Sequence, residues 1–152
     1  MQNETLIEFL RGTGPDSHGR YHADILKFSD KELEETHDYI QWLFPLREES
    51  KAVPGSPHIE SDETVRMLRE DEDVQENMVN ALVRMERFYR DNDFWLRQND
   101  HNHLRITRIL KSVSLLCSNE DAREFHVFIL ERVAAAQPVT EESLGYWKES
   151  VS

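Results

Sequence analysis

Apolar residues return at intervals of three and four through most of the chain, and convincing runs of strict alternation are few. Residues 74–89 give the clearest case. Val74, Met78, Ala81, Leu82, Met85 and Tyr89 keep that interval, and Phe88 widens the stripe. Such spacing puts side chains on one face of an α-helix. Residues 104–117 repeat it with Ile106, Ile109, Leu110, Val113 and Leu116, and residues 119–136 with Phe125, Phe128, Ile129 and Val133. Residues 30–44 predict a helix carrying Leu33, His37, Ile40 and Phe44, ended by Pro45. Tyr39 and Trp42 fall off the centre of that stripe, which suits an interhelix seam or a cleft wall. Shorter helices are predicted over 21–28, over 61–70 and after Thr140, where Leu144 and Trp147 can staple the last one to the body. The expectation is an all-α, compact bundle of about six or seven helices of unequal length, forming a single domain over residues 1–152.

Local punctuation supports these boundaries. Ser29-Asp30-Lys31-Glu32 reads as a capping box, in which serine and glutamate each bond the other's backbone N–H. Ser61, Ser118 and Thr140 precede acidic first turns, which suit the positive end of a helix. Pro138 is placed to stop the helix over 119–136. The stretch 12–19, with Gly12, Gly14, Pro15 and Gly19, predicts a loop, and its glycines match neither phosphate-loop spacing. Residues 46–60, with Pro54, Gly55 and Pro57, predict a long surface connection.

Charge changes the picture of partners. The 152 residues hold 30 acidic and 18 basic side chains, a formal charge of −12. A surface of that sign repels phosphate backbones and disfavours nucleic acid as a partner. No stretch approaches the ~20 apolar residues of a membrane span. The start of the chain lacks the basic and apolar regions of a secretory signal. Cys117 is the one cysteine, so no intrachain disulfide is possible, and its Leu115-Leu116 neighbours predict a buried, inert thiol. A cytoplasmic location is the expectation.

The candidate chemistry is sparse. Seven histidines invite a metal, with His101-Asn102-His103 the densest pair, but residues two apart do not share a helix face. No CxxC or HExxH accompanies them. Neither a metal nor another cofactor is expected, and capping or packing at the turn before Leu104 is the plainer role. No Ser, Thr or Cys sits in a recognised nucleophile motif. Arg105 and Arg108 are helical neighbours on the side opposite much of the apolar face. They read first as salt-bridging groups and second as an anchor for a carboxylate or phosphate. Tyr39, Trp42 and Arg47 combine the residue types that anchor contacts. Tyr39, Trp42, Arg47, Arg105 and Arg108 are therefore the candidate ligand-binding residues, for a peptide, an anionic small molecule or a protein. No catalytic residue is assigned.

Two segments go beyond periodicity. They are His37-Asp38-Tyr39-Ile40-Gln41-Trp42-Leu43-Phe44-Pro45-Leu46-Arg47-Glu48 and Asn102-His103-Leu104-Arg105-Ile106-Thr107-Arg108-Ile109-Leu110-Lys111-Ser112. Together, and in this order, they resemble the conserved region of the opioid growth factor receptor family. The resemblance extends from about Phe9 to Trp147 and includes Arg11-Gly12, Pro15-Asp16, Phe88-Tyr89 and the stretch from Phe125 to Glu131. It departs at His103, where the family favours Asn, and in a shorter stretch after Tyr89, as in compact microbial members. The resemblance implies a helical, non-enzymatic binding module. In animal members it implies receptor-like binding of an enkephalin pentapeptide at the nuclear periphery. The resemblance brings no established catalytic set with it. An enzyme using His101 or His103 beside carboxylates, and a structural assembly module, are the alternative readings.

Overall fold

A computed structural model describes residues 3–136 and 140–151. Among them are nine α-helices and no strand. The all-α expectation holds, with more and shorter helices near the start of the chain than the spacing suggested. By contacts the chain divides into two compact units, residues 1–81 and 82–152. Pro138 lies outside the described residues.

The first unit holds α1 (Glu4–Arg11), α2 (His22–Leu26), α3 (Asp30–Glu35), α4 (Ile40–Leu43), α5 (Asp62–Glu70) and the beginning of α6 (Glu72–Asp91). Leu6, Ile7, Phe9 and Leu10 are buried, and α1 packs on α4. Phe9 sits at the centre of an aromatic cluster, edge-on to Trp42 at 5.3 Å and tilted on His22 at 5.5 Å. The Ser29 capping box forms as read: Glu32 N–H donates to Ser29 Oγ at 3.1 Å and Ser29 N–H to Glu32 Oε1 at 3.0 Å.

The single helix expected over 30–44 is instead two. Thr36 is extended (φ −96°, ψ 128°), which ends α3 after one and a half turns. Polar contacts account for the break. Asp38 is drawn to Arg20, whose Nη1 donates to Asp38 Oδ1 at 2.9 Å and whose Nη2 donates to the Asp38 carbonyl at 3.3 Å. The Tyr39 hydroxyl donates back to the Leu33 carbonyl at 2.7 Å, closing the gap between the helices. Arg20 is itself held by the buried Asp16, which also accepts the His18 and Arg20 N–H groups and so shapes the loop before α2.

Gly12 ends α1 in the left-handed region (φ +84°), and a Cβ there would stand 3.3 Å from Asn77 Nδ2, which donates to the Leu10 carbonyl. Gly12→Ala is expected to cost about 1–2 kcal/mol from the left-handed backbone. Urea denaturation against the unaltered protein measures it. Asp71 separates α5 from α6. It accepts Val74 N–H at 3.1 Å and Arg11 Nε at 2.5 Å.

The second unit contains the rest of α6, α7 (His101–Leu116), α8 (Asn119–Ala136) and α9 (Glu141–Ser150). Its core is the stripe read from sequence: Met85, Phe88, Tyr89, Ile106, Ile109, Leu110, Val113, Leu116, Phe125, Ile129 and Val133 are buried. Phe128 is only half-buried, with the Arg90 guanidinium 5.1 Å over its ring. α7 packs against both α8 and α9. Trp95, in the loop after α6, is fully buried, and its Nε1–H reaches the carbonyls of Tyr89 (3.2 Å) and Asn92 (2.8 Å). Arg132 of α8 donates to the same two carbonyls. The end of α6 thereby satisfies carbonyls that a helix terminus leaves without intrahelical donors.

Candidate functional site

The five residues singled out from sequence take different places. In the first unit, Tyr39 is fully buried and committed to Leu33. Trp42 is almost buried against Phe9, and its remaining surface walls a pocket of about 290 Å³ beside Asn3, Leu6 and Glu60. Arg47 is partly exposed. Its Nε donates to the Ile59 carbonyl at 3.1 Å, and its Nη1 pairs with Asp62. The geometry therefore ties Arg47 to the end of the 46–60 connection.

In the second unit, Arg105 is buried on α7 rather than on an outer side. Its Nη1 is 3.4 Å from Asn102 Oδ1, which also accepts the Tyr89 hydroxyl at 3.2 Å. Arg108 is half-buried. Cys117 stands where α7 ends, and burial first, then the Asp121 charge, push its thiol up to about 11. At pH 8 it should carry at least about a hundredfold less thiolate than an ordinary cysteine of pKa about 8.5. Iodoacetamide should accordingly modify the native protein far more slowly than the urea-unfolded one, as mass spectrometry would follow.

The larger groove forms where the first turns of α7 and α9 meet within the second unit. Its volume is about 550 Å³, and Arg97, Asn99, Asp100, His101, His103, Leu104, Thr107, Thr140, Glu142, Ser143 and Tyr146 line it. Sequence builds both ends. Asp100 caps α7 by accepting Asn102 N–H at 2.9 Å, and Thr140 caps α9 by accepting Ser143 N–H at 3.2 Å. Burial acts to raise the Asp100 pKa. It is outweighed by hydrogen bonds from Asn102 and Arg97 and by the His101 charge, so the carboxyl is held below its ordinary range. Arg97 reaches Asp100 with Nε at 2.9 Å and Nη2 at 2.8 Å, so these two charges offset each other. Glu142 accepts the Tyr146 hydroxyl at 3.2 Å, and that bond, with the Glu142 charge, raises the phenol's pKa.

His103 lies at the floor, 5 % exposed. Its Nε2 is 2.8 Å from the Trp95 carbonyl oxygen, which can only accept, so Nε2 carries the hydrogen. In the neutral ring Nδ1 is then the acceptor, and it faces Ser143 Oγ at 3.2 Å. The Trp147 indole stands edge-on to the His103 ring at 5.5 Å and donates to the His103 carbonyl at 3.1 Å. The packing role expected for the histidines is thus met by His103. His101 is partly exposed at the rim, 3.8 Å from Asp100. Leu104 and Tyr146, 70 % and 51 % exposed, supply apolar surface at the groove. The sequence reading placed none of its five residues here. Thr140 is legible as a cap, whereas the helix expected from Leu104 starts three residues earlier, at His101, with Asp100 as its cap; nothing in the spacing shows that the two helix starts converge.

Comparison with known proteins comes to the same family as the two motifs. Residues 18–93 match the opioid growth factor receptor conserved region. The human opioid growth factor receptor is 37% identical over 140 residues, covering 78% of this chain and 20% of that protein. The rat receptor is 37% identical over 102 residues, 55% of this chain and 17% of the receptor. Rat opioid growth factor receptor-like protein 1 is 34% identical over 121 residues, 64% of this chain and 25% of that protein. The chain thus spans about a quarter or less of the length of these relatives. No solved structure matches. The matched region ends before Arg97, so it carries the His37–Glu48 motif but not the groove. The chain belongs to the opioid growth factor receptor conserved-region family.

Proposed function

We propose that this protein is a ligand- or protein-binding module and that the α7–α9 groove of its second unit receives the ligand. The observation that carries this reading is the groove itself. A concavity of about 550 Å³ combines exposed apolar side chains, Leu104 and Tyr146, with polar groups on two helix starts. Binding sites ordinarily join desolvated area to a few positioned polar groups in this way. Trp42 and Arg47 remain a second contact region, at the first unit's pocket and the 46–60 connection. Tyr39 and Arg105 act through the interior. No helix among the described residues is long and apolar enough to cross a membrane.

The test is a titration of ¹⁵N-labelled protein with an enkephalin pentapeptide and, separately, with a library of neutral fragments. The expected result is that shifts concentrate on residues 97–107 and 140–146 and disappear in Leu104→Glu. Saturable shifts confined to Trp42, Arg47 and their neighbours would move the binding site to the first unit. No saturable shift anywhere would overturn the reading.

A further inference from the structure

We propose that the α7–α9 groove also carries a nucleophile, with Ser143 attacking an acyl carbon and His103 taking its proton. The inference rests on the groove being the ligand site. Three observations carry it. Ser143 lines a cavity large enough for a small ester, and its Oγ is 3.2 Å from His103 Nδ1. The bond from Nε2 to the Trp95 carbonyl fixes the ring and leaves the basic lone pair facing the hydroxyl. Ser143 also occupies the third position of the ten-residue helix α9. Its own N–H is bonded to Thr140, while helix geometry leaves the N–H groups of Glu141 and Glu142 without an intrahelical acceptor at the same positive end.

The step balances within these groups and the substrate. Ser143 Oγ forms a bond to the ester carbon as its proton passes to His103 Nδ1, and the Trp95 carbonyl steadies the imidazolium through Nε2–H. The resulting oxyanion lies near the first-turn N–H groups of α9. The bond from carbon to the alcohol oxygen then breaks, and the alcohol takes the proton from Nδ1. Water enters by the same route and releases the acid from the acyl-serine. The groove also sets a substrate class. Arg97 is offset by Asp100, and the Glu142 carboxylate shares the groove with His101, so no net charge is left to hold an ionic group and the apolar Leu104 and Tyr146 favour neutral esters.

The experiment uses a fluorophosphonate probe, in which a serine oxygen displaces fluoride from phosphorus, followed by peptide mapping. Hydrolysis of p-nitrophenyl acetate is followed in parallel. The expected result is labelling of Ser143 in native protein only, with ester hydrolysis about a hundredfold faster than in Ser143→Ala. Labelling that persists in Ser143→Ala, or none at all, overturns the proposal. Ser143→Cys supplies a second reading: its thiol should react with iodoacetamide at a lower pH than an ordinary cysteine, and ordinary thiol behaviour also overturns it. Fragment shifts in the groove without labelling would remove the acyl step alone, whereas absence of both would remove the binding site with it.

Discussion

Trp147→Ala is expected to lower the unfolding free energy by about 4 kcal/mol, the middle of the range for emptying a buried aromatic site. The indole is fully buried, so truncation leaves a cavity rather than a solvated gap. It also removes the N–H that donates to the His103 carbonyl. That carbonyl keeps a second donor, the Thr107 hydroxyl at 3.1 Å, so the lost hydrogen bond is the smaller part of the effect. Trp147→Phe, which retains most of the ring volume, should therefore cost clearly less than the alanine variant.

The damage should centre on α9. Ten residues are too few for a stable helix in water without tertiary support. Beyond Trp147, α9 is tied to α7 by Ser143 on His103 and by the Ser114 hydroxyl on the Ser150 carbonyl, both at 3.2 Å. Hydrogen exchange should thus accelerate most across residues 141–150 in Trp147→Ala, and the ester hydrolysis proposed for the groove should fall with it. A loss below about 1.5 kcal/mol in urea denaturation would mean that Trp147 does not anchor the helix.

The sequence reading succeeded where one long face meets one core. α6, α7 and α8 repeat their apolar positions over four to six turns, and a stripe of that length has one consistent solution. The Trp147 staple was legible for the same reason, since an indole three residues from Leu144 on a short capped helix has few places to go. It failed where a polar partner distant in sequence decides the backbone. The stripe Leu33, His37, Ile40, Phe44 is helical in spacing, yet Arg20 and the Tyr39 hydroxyl give the backbone around Thr36 and Asp38 a better set of hydrogen bonds. The short helix expected over 21–28 forms over His22–Leu26, with Tyr21 exposed and its neighbour His22 buried. A one-residue shift in a five-residue helix changes its face, and too few apolar positions lie there to fix the register. The groove was hidden for a further reason. Helix caps report where a helix begins, and only packing of α9 on α7 brings two beginnings together.

His22 carries the second large expectation. It is 2 % exposed, packs against Phe9, and has no hydrogen-bond partner for Nε2. Burial pushes its pKa down to about 4, whereas an unfolded histidine titrates near about 6.5. Between these values the unfolded chain binds the proton and the folded chain does not, so folding stability rises with pH across that window. The contribution is complete above about pH 6.5 and is lost as pH falls to about 4, a total of about 3 kcal/mol. Against a usual domain stability of about 5–15 kcal/mol, that is a large share. His126, whose pKa is also lowered by burial, adds a slope of the same sign. Asp71 and Asp100 lose their contributions only at lower pH, because their carboxyls are held below the ordinary range. Comparison with His22→Phe isolates the residue. Phenylalanine keeps a ring against Phe9 and removes the unpartnered nitrogen, so the variant should gain about 1 kcal/mol at pH 7. It should also lose much less stability than the parent from pH 7 to pH 4. Urea denaturation of both proteins at a series of pH values measures the difference. Parallel stability curves would show that His22 takes up its proton in the folded state as readily as in the unfolded one.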